Sequence, residues 1–309
     1  MLLCLTPNPA IDRVLVVPGF RNAEVCRVAE RRDQAGGKGL NVVRAFRTLG
    51  LDARATGPLG GDTGRAIAAL AAAEGLPSDW AWLPEGESRI CVLVTDPAAH
   101  DTLTINEPGP QLSQAAWQSV AAHIRAAASD AEALTSSGSL PPGVSPAAFL
   151  ELLAEVGAAR PVFLDTSGPA LRAALDLPLA MLKINAHELG EALGRELVTP
   201  AEAAAAAQEA RSRGPATVVV TLGRQGAVAV SAEGAWWACP PAIKPVSPVG
   251  SGDAVLSGVA TGVLRGQMLP DALRLGVACG TANALVLGAG IMRPEDVERI
   301  GAATQVETL

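Results

Sequence analysis

The stretch ALTSSGSLPPGVSPAAFLELLAEVGAARPVFLD, residues 133–165, contains one complete unit of the pattern that decides the fold. Residues 133–136 form a short apolar run that predicts a buried strand, and a turn rich in serine, glycine and proline follows it. A proline opens the alanine-rich helical pattern at 146–156, which is a favoured helix start. Residues 162–165 form a second apolar run. The stretch therefore predicts a strand, a helix and a second, parallel strand.

The same alternation continues over most of the chain. Buried parallel strands are predicted at 2–5, 53–56, 133–136, 162–165, 181–184 and 217–221. Helices are predicted at 38–49, 63–73, 146–156, 169–175, 187–193 and 254–265. Regular strand–helix alternation indicates an α/β fold with a doubly wound, mostly parallel sheet and helices on both faces. We expect residues 1–309 to form a single domain, and the lack of a 20–50-residue repeat excludes a solenoid.

Two segments interrupt this alternation. Residues 12–33 and 88–106 alternate apolar and polar side chains, as in Arg13-Val14-Leu15-Val16, and are more charged than their surroundings. They predict two strand pairs in a small β-sheet that stands off the main body as a lid or a dimer contact. An exposed apolar face with Val14, Val16, Ile90, Val92 and Val94 would favour a homodimer through this sheet. The alternative is that both segments extend the central sheet.

Composition and charge exclude several classes of protein. Of 309 residues, 49% are hydrophobic and 18% charged, which provides for a large core and excludes a disordered tail. A net charge of −7 argues against nucleic-acid binding through bulk charge. Five scattered cysteines without a C-x-x-C pair, and an N-terminus without a basic signal region, favour a cytoplasmic protein. Residues 275–292 carry no charge, but their glycines favour a buried helix over a membrane span.

Two glycine-rich segments are candidates for binding anions. In GGKGLN (36–41) glycines open a helix, so backbone N–H groups can approach a ligand; the sequence is neither a Walker A loop nor a dinucleotide fingerprint. A tight turn explains it about as well. In PVGSGDA (248–254), Gly250, Ser251 and Gly252 precede Asp253 at a predicted helix start. An aspartate there is often only an N-cap, but the flanking glycines favour an anion site with an adjacent carboxylate base.

Three further motifs follow predicted strands. SGSLPPG (137–143) lies where ligands bind in open α/β sheets, and its alternative is an ordinary turn. TLGRQG (221–226) is explained locally by a strand–turn–strand hairpin. In KINAHE (183–188), Asn185 and Glu188 share a helical face and can organise a hydrated divalent cation, although such pairs are more often solvated surface pairs. The three histidines, His100, His123 and His187, have no metal-ligand spacing, so we interpret them as structural or surface residues.

Taken together and in order, GGKGLN, SGSLPPG and PVGSGDA resemble the pfkB, or ribokinase-like, family of carbohydrate kinases over the whole chain. The narrower resemblance is to the branch of 1-phosphofructokinases and tagatose-6-phosphate kinases. It rests additionally on TPNPAID (6–12), INEPGP (105–110) and DTSG (165–168). Two departures from the family pattern are Ile184, where a proline is usual, and Ser251, where an alanine is common. Neither removes a functional side chain.

The resemblance implies a role for each matched position. It implies that Asp253 is the general base and that the N–H groups of Gly250, Ser251 and Gly252 stabilise the phosphoryl group during its transfer. The substrate-binding positions are Asp12, Gly37, Lys38, Asn41, Arg27, Arg89 and Ser137, with Lys38, Arg27 and Arg89 on the phosphate that the substrate already carries. The nucleotide-binding positions are Lys183, Asn185, Thr221, Gly223, Gly226 and Asn283, the last near the adenine. Glu188 is expected to hold Mg²⁺, through water.

The reaction that these roles imply is ATP-dependent phosphorylation of a phosphorylated ketohexose. Fructose 1-phosphate, giving fructose 1,6-bisphosphate, is the first expectation, with tagatose 6-phosphate and fructose 6-phosphate as alternatives. ATP and Mg²⁺ are the implied cofactors, a monovalent cation is compatible with them, and the lid would exclude water. A non-catalytic sugar-phosphate sensor would need neither Asp253 nor Glu188. A nicotinamide oxidoreductase would need a glycine-rich turn after the first strand, where this chain has Thr6-Pro7-Asn8-Pro9.

Overall fold

The first strand, Leu2–Leu5, lies inside a large sheet and explains why both faces of that sheet are covered. Leu3 and Leu5 pack into one cluster of buried apolar side chains, and Leu2 and Cys4 pack into another. Successive side chains of a strand point to opposite faces, so a strand that is apolar throughout needs a covering layer on each side. The architecture described here is a computed structural model that describes residues 1–21, 24–96 and 101–309.

The described part of the chain contains strands and helices in regular alternation. The strands are β1 (Leu2–Leu5), β2 (Ala10–Val16), β3 (Glu30–Gly36), β4 (Ala53–Leu59), β5 (Ser78–Trp82), β6 (Arg89–Asp96), β7 (Asp101–Asn106), β8 (Ala133–Ser137), β9 (Val162–Asp165), β10 (Met181–Asn185), β11 (Thr217–Thr221), β12 (Ala227–Ser231), β13 (Gly234–Cys239) and β14 (Gln305–Thr308). The helices are α1 (Lys38–Thr48), α2 (Gly61–Ala73), α3 (Gln114–Ala128), α4 (Pro146–Gly157), α5 (Gly168–Ala174), α6 (Ala186–Leu193), α7 (Pro200–Arg211), α8 (Ser251–Leu264), α9 (Leu269–Asn283) and α10 (Pro294–Ala303).

The large sheet has the strand order β14-β13-β12-β11-β10-β9-β8-β1-β4-β5. The strands from β11 to β5 in that order are parallel, and β12, β13 and β14 continue the sheet antiparallel. Buried side chains of α3 to α7 belong to the cluster on one face, and those of α1, α2, α8 and α9 to the cluster on the other. The ribokinase-like α/β fold with a doubly wound, mostly parallel sheet is therefore confirmed.

The sequence predicted the central elements closely. All six predicted strands and all six predicted helices are present, and their ends differ from the prediction by at most three residues. The hairpin predicted at TLGRQG is the antiparallel pair β11–β12. Elements that were not predicted are α3, α7, α10, β5, β13 and β14. The buried positions of α7 are all alanines, which give little apolar contrast.

The uncharged segment 275–292 is helical only in part. Helix α9 ends at Asn283, and the residues that follow form turns up to α10. Within α9, Gly276 lies so close to Gly258 of α8 that a Cβ on Gly258 would stand 2.6 Å from the Gly276 Cα. Gly276 thus allows close packing of α8 and α9. Within the described residues, no helix has both the length and the apolar character needed to cross a bilayer.

The two interrupting segments form a separate sheet, as predicted, rather than an extension of the large one. Its strand order is β3-β2-β6-β7, with β2 and β6 parallel and the other two pairs antiparallel. Residues 22–23 and 97–100, which belong to the predicted segments and include His100, lie outside the described residues. We call this four-stranded sheet the lid sheet. It joins α1 directly, because β3 ends at Gly36 and α1 begins at Lys38.

The prediction that one face of the lid sheet carries all five apolar side chains is wrong. The register pairs Asp12 with Cys91 and Val14 with Leu93, whereas Ile11 pairs with Ile90 and Arg13 with Val92. Paired residues share a face, and the face alternates at each residue. Val14 and Val16 therefore lie on the same face as Asp12, while Ile90, Val92 and Val94 lie on the opposite face. The alternation of apolar and polar side chains was predicted correctly within each segment. The register between the two segments depends on how they pair, which neither segment shows by itself.

Candidate active site at the strand ends

The candidate residues meet at the carboxyl ends of the parallel strands. The chain proceeds from β1 to β4 and β5 on one side, and from β8 to β11 on the other, so the winding reverses between β1 and β8. Open α/β sheets bind ligands in the crevice at such a reversal. Predicted site residues at these strand ends are Ser137 on β8, Lys183 and Asn185 on β10, and Thr221 on β11.

Asp253 lies in the first turn of α8 but does not cap it. The N-cap residue is Gly250, with a φ of 81°, and no side chain caps this helix. The Asp253 side chain is buried, and Asn41 Nδ2 donates a hydrogen bond to its Oδ2 at 2.8 Å. The alternative of a capping aspartate therefore does not fit this structure. A buried carboxylate beside the unpaired N–H groups of a helix start is an arrangement suited to a general base.

The surroundings of Asp253 tune its protonation. Burial raises the pKa of Asp253 to about 6, and it is opposed by the positive charge of Lys38. The Asp165 carboxylate raises the pKa further, while Lys183 and the hydrogen bond from Asn41 lower it. A base with a pKa near 6 is mostly ionised at neutral pH and remains basic enough to accept a proton as a hydroxyl attacks. This is the protonation behaviour that a catalytic base needs.

A buried aspartate joins two of the predicted lysines. Asp165 is fully buried at the end of β9; Lys183 Nζ donates to its Oδ2 at 2.7 Å and Lys38 Nζ to its Oδ1 at 3.1 Å. Burial opposes ionisation of Asp165, but the two lysines prevail and lower its pKa. Attraction to Asp165 raises the pKa of Lys38. The Lys183 side chain is 5% exposed and that of Lys38 is 40% exposed, so Lys38 is the one open to a ligand.

Asp12 and the start of α1 pack tightly together. A Cβ on Gly36 would lie 2.3 Å from the Asp12 Cγ, and a Cβ on Gly37, whose φ is 109°, would lie 2.5 Å from the Thr6 Cγ2. Burial raises the pKa of Asp12, and a hydrogen bond from the Gly37 backbone opposes that effect. Ser137 is fully buried, and its Oγ has no hydrogen-bond partner among the described residues. These groups surround the crevice beside β1.

The three cations expected on the substrate's phosphate are not joined to one another by any contact within the described residues. Arg89 Nη2 and Nε donate to the Asn8 carbonyl at 3.0 and 3.2 Å, and its Nη1 donates to the Glu107 carbonyl at 3.1 Å. Arg89 thereby joins the TPNPAID and INEPGP segments. Arg27 is exposed in the connection between β2 and β3. Lys38 lies instead with Asp165 and close enough to Asp253 for each charge to shift the other's pKa.

Three of the predicted nucleotide-binding residues line one cleft. Asn185, Thr221 and Gly223 border a cleft of about 950 Å³ between α6 and the turn after β11, a volume within the usual range for small-molecule sites. Gly226 has a packing role, because a Cβ there would lie 1.9 Å from the Ala238 carbonyl oxygen.

Asn283, expected near the adenine, is fully buried, and its amide bonds to the chain itself. Its Nδ2 donates to the Val249 carbonyl at 2.8 Å and to Ser251 Oγ at 3.3 Å, and its Oδ1 accepts from the Gly290 N–H at 2.8 Å. Asn283 therefore braces the glycine-rich turn in front of Asp253. In this structure it contacts that turn and not an open pocket.

Asn185 and Glu188 form a capping box at the start of α6. Asn185 Oδ1 accepts from the Glu188 N–H at 2.8 Å, and Glu188 Oε2 accepts from the Asn185 N–H at 3.3 Å. The described residues contain no group of three or more acidic, histidine or cysteine side chains suited to a metal. Glu188 nevertheless faces the site, since its charge helps to raise the pKa of Lys38. One half-exposed carboxylate fits a Mg²⁺ that keeps its waters and is held mainly by phosphates.

Sequence reasoning missed two residues of this site. Asp165 was noted only as part of DTSG, without a role, although an aspartate at the end of an apolar strand is a signal of a binding crevice. Arg44 was not singled out at all. It follows Asn41 by three residues on α1, so the two share a helix face, and it is 7% exposed in an otherwise apolar part of the helix. A charged side chain on the apolar face of a helix is the sequence signal that could have identified Arg44.

Known proteins are similar to this chain in sequence and in fold. The model of the pfkB family carbohydrate kinases matches residues 6–296. A "1-phosphofructokinase" of Rhodobacter capsulatus is 36% identical, covering 98% of this chain and 96% of that protein. An "ATP-dependent 6-phosphofructokinase isozyme 2" of Mycobacterium tuberculosis is 34% identical over 96% of this chain and 88% of its own length. The crystal structure of phosphofructokinase-2 from Escherichia coli in complex with potassium superposes with a TM-score of 0.91, at 31% identity and 98% coverage of both chains.

Proposed function

The chain belongs to the pfkB family of carbohydrate kinases, and from that membership we propose that this site phosphorylates a phosphorylated ketohexose at the expense of ATP. The observation that carries the proposal is Asp253, a buried carboxylate with a raised pKa at the start of α8, beside the charges of Lys38 and Asp165. A sugar-phosphate sensor has no need of such a base. An ATP-dependent sugar-phosphate kinase requires it.

Asp253 acts as the general base. Its carboxylate accepts the proton of the sugar hydroxyl as the oxygen attacks the γ-phosphate of ATP. Asn41 holds this carboxylate from one side, through the 2.8 Å bond to Oδ2. Because the pKa of Asp253 is about 6, the proton is accepted readily at neutral pH and is released to solvent once the product leaves.

Charge on the moving phosphoryl group is balanced by the chain itself. The N–H groups of Gly250, Gly252 and Asp253 at the start of α8 donate to its oxygens, and the helix dipole adds to their effect. The Ser251 N–H, expected among them, instead donates to the Pro248 carbonyl at 3.2 Å. Lys38 belongs on this group rather than on the substrate's own phosphate, because its ammonium donates to Asp165 at 3.1 Å and is close enough to Asp253 for each charge to shift the other's pKa. Asp165 accepts one hydrogen bond from Lys38 and one from Lys183, so that both ammonium groups are oriented before substrates bind.

Nucleotide and metal are held on the β10 and β11 side of the crevice. Asn185, Thr221 and Gly223 line the cleft for ATP, and Lys183 precedes Asn185 by two residues on β10. Glu188 would hold Mg²⁺ through water, and the ion when bound neutralises charge on the β- and γ-phosphates. A monovalent cation is a further candidate cofactor, since the Escherichia coli relative was crystallised with potassium. The lid sheet lies over the acceptor side, where it would exclude water that competes as phosphoryl acceptor.

The acceptor is a ketohexose phosphate, with fructose 1-phosphate ahead of fructose 6-phosphate and tagatose 6-phosphate. Asp12 binds the sugar hydroxyls at the root of the lid sheet, and Arg89 with Arg27 binds the substrate's existing phosphate. The Rhodobacter capsulatus relative supports fructose 1-phosphate, and the Mycobacterium tuberculosis relative, at similar identity, favours 6-phosphofructokinase activity as the second candidate. Scattered cysteines, free throughout the described residues, suit a reducing compartment, so we propose the cytoplasm as its location.

Steady-state kinetics on the three ketohexose phosphates would test this proposal. We expect kcat/KM for fructose 1-phosphate to exceed that for fructose 6-phosphate and tagatose 6-phosphate, with free fructose and ribose as controls. An unphosphorylated sugar cannot form the charge-assisted hydrogen bonds that we propose for Arg89 and Arg27, so we expect free fructose to react at least about 100-fold more slowly. Faster turnover of a free sugar would contradict the phosphate site, and ATP binding without turnover of any sugar would favour a sensor.

A further inference from the structure

Arg44 lies beneath the site, and each of its guanidinium nitrogens donates a hydrogen bond. Nε and Nη2 donate to the Glu74 carboxylate at 2.7 and 3.0 Å, and Nη2 also donates to the Ala35 carbonyl at 2.5 Å. The remaining nitrogen, Nη1, donates to Asn41 Oδ1 at 2.9 Å. Arg44 is 7% exposed, so these partners replace water almost completely. No step of the reaction described above requires this residue.

The contacts of Arg44 decide which way the Asn41 amide points. A guanidinium can only donate hydrogen bonds, so the amide oxygen must face Arg44. An ionised carboxylate can only accept them, so the amide nitrogen must face Asp253, as it does at 2.8 Å. If Arg44 is removed, the Asn41 oxygen loses its partner. The amide can then turn, and it would place its oxygen against the Asp253 carboxylate.

Arg44 also ties this chain of hydrogen bonds to the root of the lid sheet. Ala35 is the last residue but one of β3. Its carbonyl accepts a hydrogen bond from Arg44, and its N–H donates to Glu74 Oε1 at 3.3 Å. Burial raises the pKa of Asp12 on the neighbouring strand β2, and the Arg44 charge offsets part of that rise. Arg44 and Glu74 therefore hold the end of β3, and Arg44 at the same time binds Asn41 of α1, the residue that reaches Asp253.

We propose that Arg44 is a positioning residue, which orients the amide of Asn41 so that Asn41 holds the carboxylate of Asp253 in place for the acceptor hydroxyl. This inference rests on the proposed kinase function. The competing explanation is that Arg44 and Glu74 form a buried ion pair that serves only stability. The two explanations differ in whether the effect of Arg44 on turnover passes through Asn41.

The test compares kcat in variants of the full-length protein. Arg44→Met removes the donors and keeps an apolar chain, and we expect kcat to fall about 10- to 100-fold, as a misplaced catalytic group would give. Arg47→Met, an exposed arginine on the same helix, is the matched control and should change kcat by less than about twofold. Glu74→Gln breaks the ion pair but leaves the Arg44–Asn41 bond, so we expect its kcat to stay within about threefold of wild type.

A double-mutant cycle separates positioning from stability. If Arg44 acts through Asn41, then Arg44→Met added to Asn41→Ala costs no further turnover. Losses that multiply in the double variant would overturn the proposal, and so would an equal loss of kcat in Glu74→Gln and Arg44→Met. Should Arg44→Met fail to fold, Arg44→Lys takes its place in the cycle. One ammonium cannot serve Glu74, Ala35 and Asn41 together, and a loss of kcat in Arg44→Lys that is equally large in the Asn41→Ala background would also overturn the proposal.

The pH profile adds a measurement that lost stability would not move. Lys38 on α1, Asp165 on β9 and Lys183 on β10 face Asp253 besides Asn41, and none of these groups changes in Arg44→Met. The hydrogen bond from Asn41 favours the ionised carboxylate, so its loss shifts the acid limb of kcat by about one unit to higher pH. An unshifted limb would count against the proposal. Absence of sugar-phosphate turnover in the wild-type protein would instead refute the proposed function itself.

Discussion

At the scale of single residues, the proposed chemistry of the site depends on Asp253. The change Asp253→Asn keeps the shape of the side chain and removes the proton acceptor. We expect kcat to fall about 100- to 10,000-fold, the usual contribution of a general base. Affinities for ATP and the sugar phosphate should change little, because the backbone N–H groups at the start of α8 remain. Stopped assays over long incubations would measure the residual rate.

The pH dependence of the wild-type enzyme checks the same assignment. A base must be ionised to act, and burial raises the pKa of Asp253 to about 6. Activity should therefore be constant above that pH and fall about tenfold per unit below it. The substrate's phosphate also titrates near pH 6, so the wild-type profile is divided by the profile of Asp253→Asn, which retains only the substrate's titration. A ratio that is flat between pH 5 and 7 would argue against Asp253 as the base.

At the scale of elements, the start of α8 depends on a glycine that no other residue can replace. Gly250 has a φ of 81°, and a Cβ there would lie 2.6 Å from the Ala289 Cα and 2.7 Å from the Gly290 nitrogen. Both neighbours are backbone atoms, and Asn283 holds the Gly290 nitrogen. We expect Gly250→Ala to cost more than about 2 kcal/mol of unfolding free energy and to lower kcat, because the N–H groups that face the phosphate must shift.

Gly266, just after the other end of α8, provides the control for this prediction. Its φ is 71°, yet a Cβ there would meet no atom within 4 Å. Gly266→Ala should therefore cost only the conformational strain, about 1 kcal/mol, and leave kcat unchanged. Urea denaturation and kinetics on both variants make the comparison. Equal effects of the two changes would mean that the close contact at Gly250 has no consequence for the site.

At the scale of the whole molecule, the lid sheet and the connection between β2 and β3 leave apolar side chains exposed. Val25 is 94% exposed, Val28 50%, Leu103 45% and Ile105 52%, and all four belong to the two lid segments. Surfaces of this kind usually bind a partner. We predict a homodimer formed through the lid sheet, with a mass by light scattering of about twice the 31.3 kDa of one chain at micromolar concentration. A mass of one chain at that concentration would refute it.

Complementation between variants would show whether such a dimer shares its sites. Arg27→Ala lacks a lid cation, and Asp253→Asn lacks the base. If Arg27 acts across the interface, mixed dimers contain one site with both intact residues, and activity should return on mixing. If Arg27 acts within its own chain, the mixture should be no more active than the sum of the two variants. Arg21→Ala, another exposed arginine of the same connection, replaces Arg27→Ala in the control mixture.

The sequence alone determined six of the seven parallel strands of the large sheet, six of the helices of the described residues, and the strand ends at which candidate site residues lie. Strands and helices follow from local apolar periodicity and from glycine and proline, which act over a few residues. The position of Asp253 beside Gly250 and Gly252 is likewise local, because a helix start is formed by adjacent residues. The carboxyl-end location of Ser137, Lys183 and Thr221 follows once the strands are parallel, since parallel strands end at one edge.

Only the tertiary structure decided which of these residues touch. Asn41 and Asp253 lie 212 positions apart, and Lys38 and Asp165 lie 127 apart, so no local pattern joins them. The same holds for the lid sheet, where alternation defines two faces of each strand but register decides which faces coincide. Arg44 is the clearest case. Its helix position is visible in the sequence, but its role depends on three partners that packing alone brings to it.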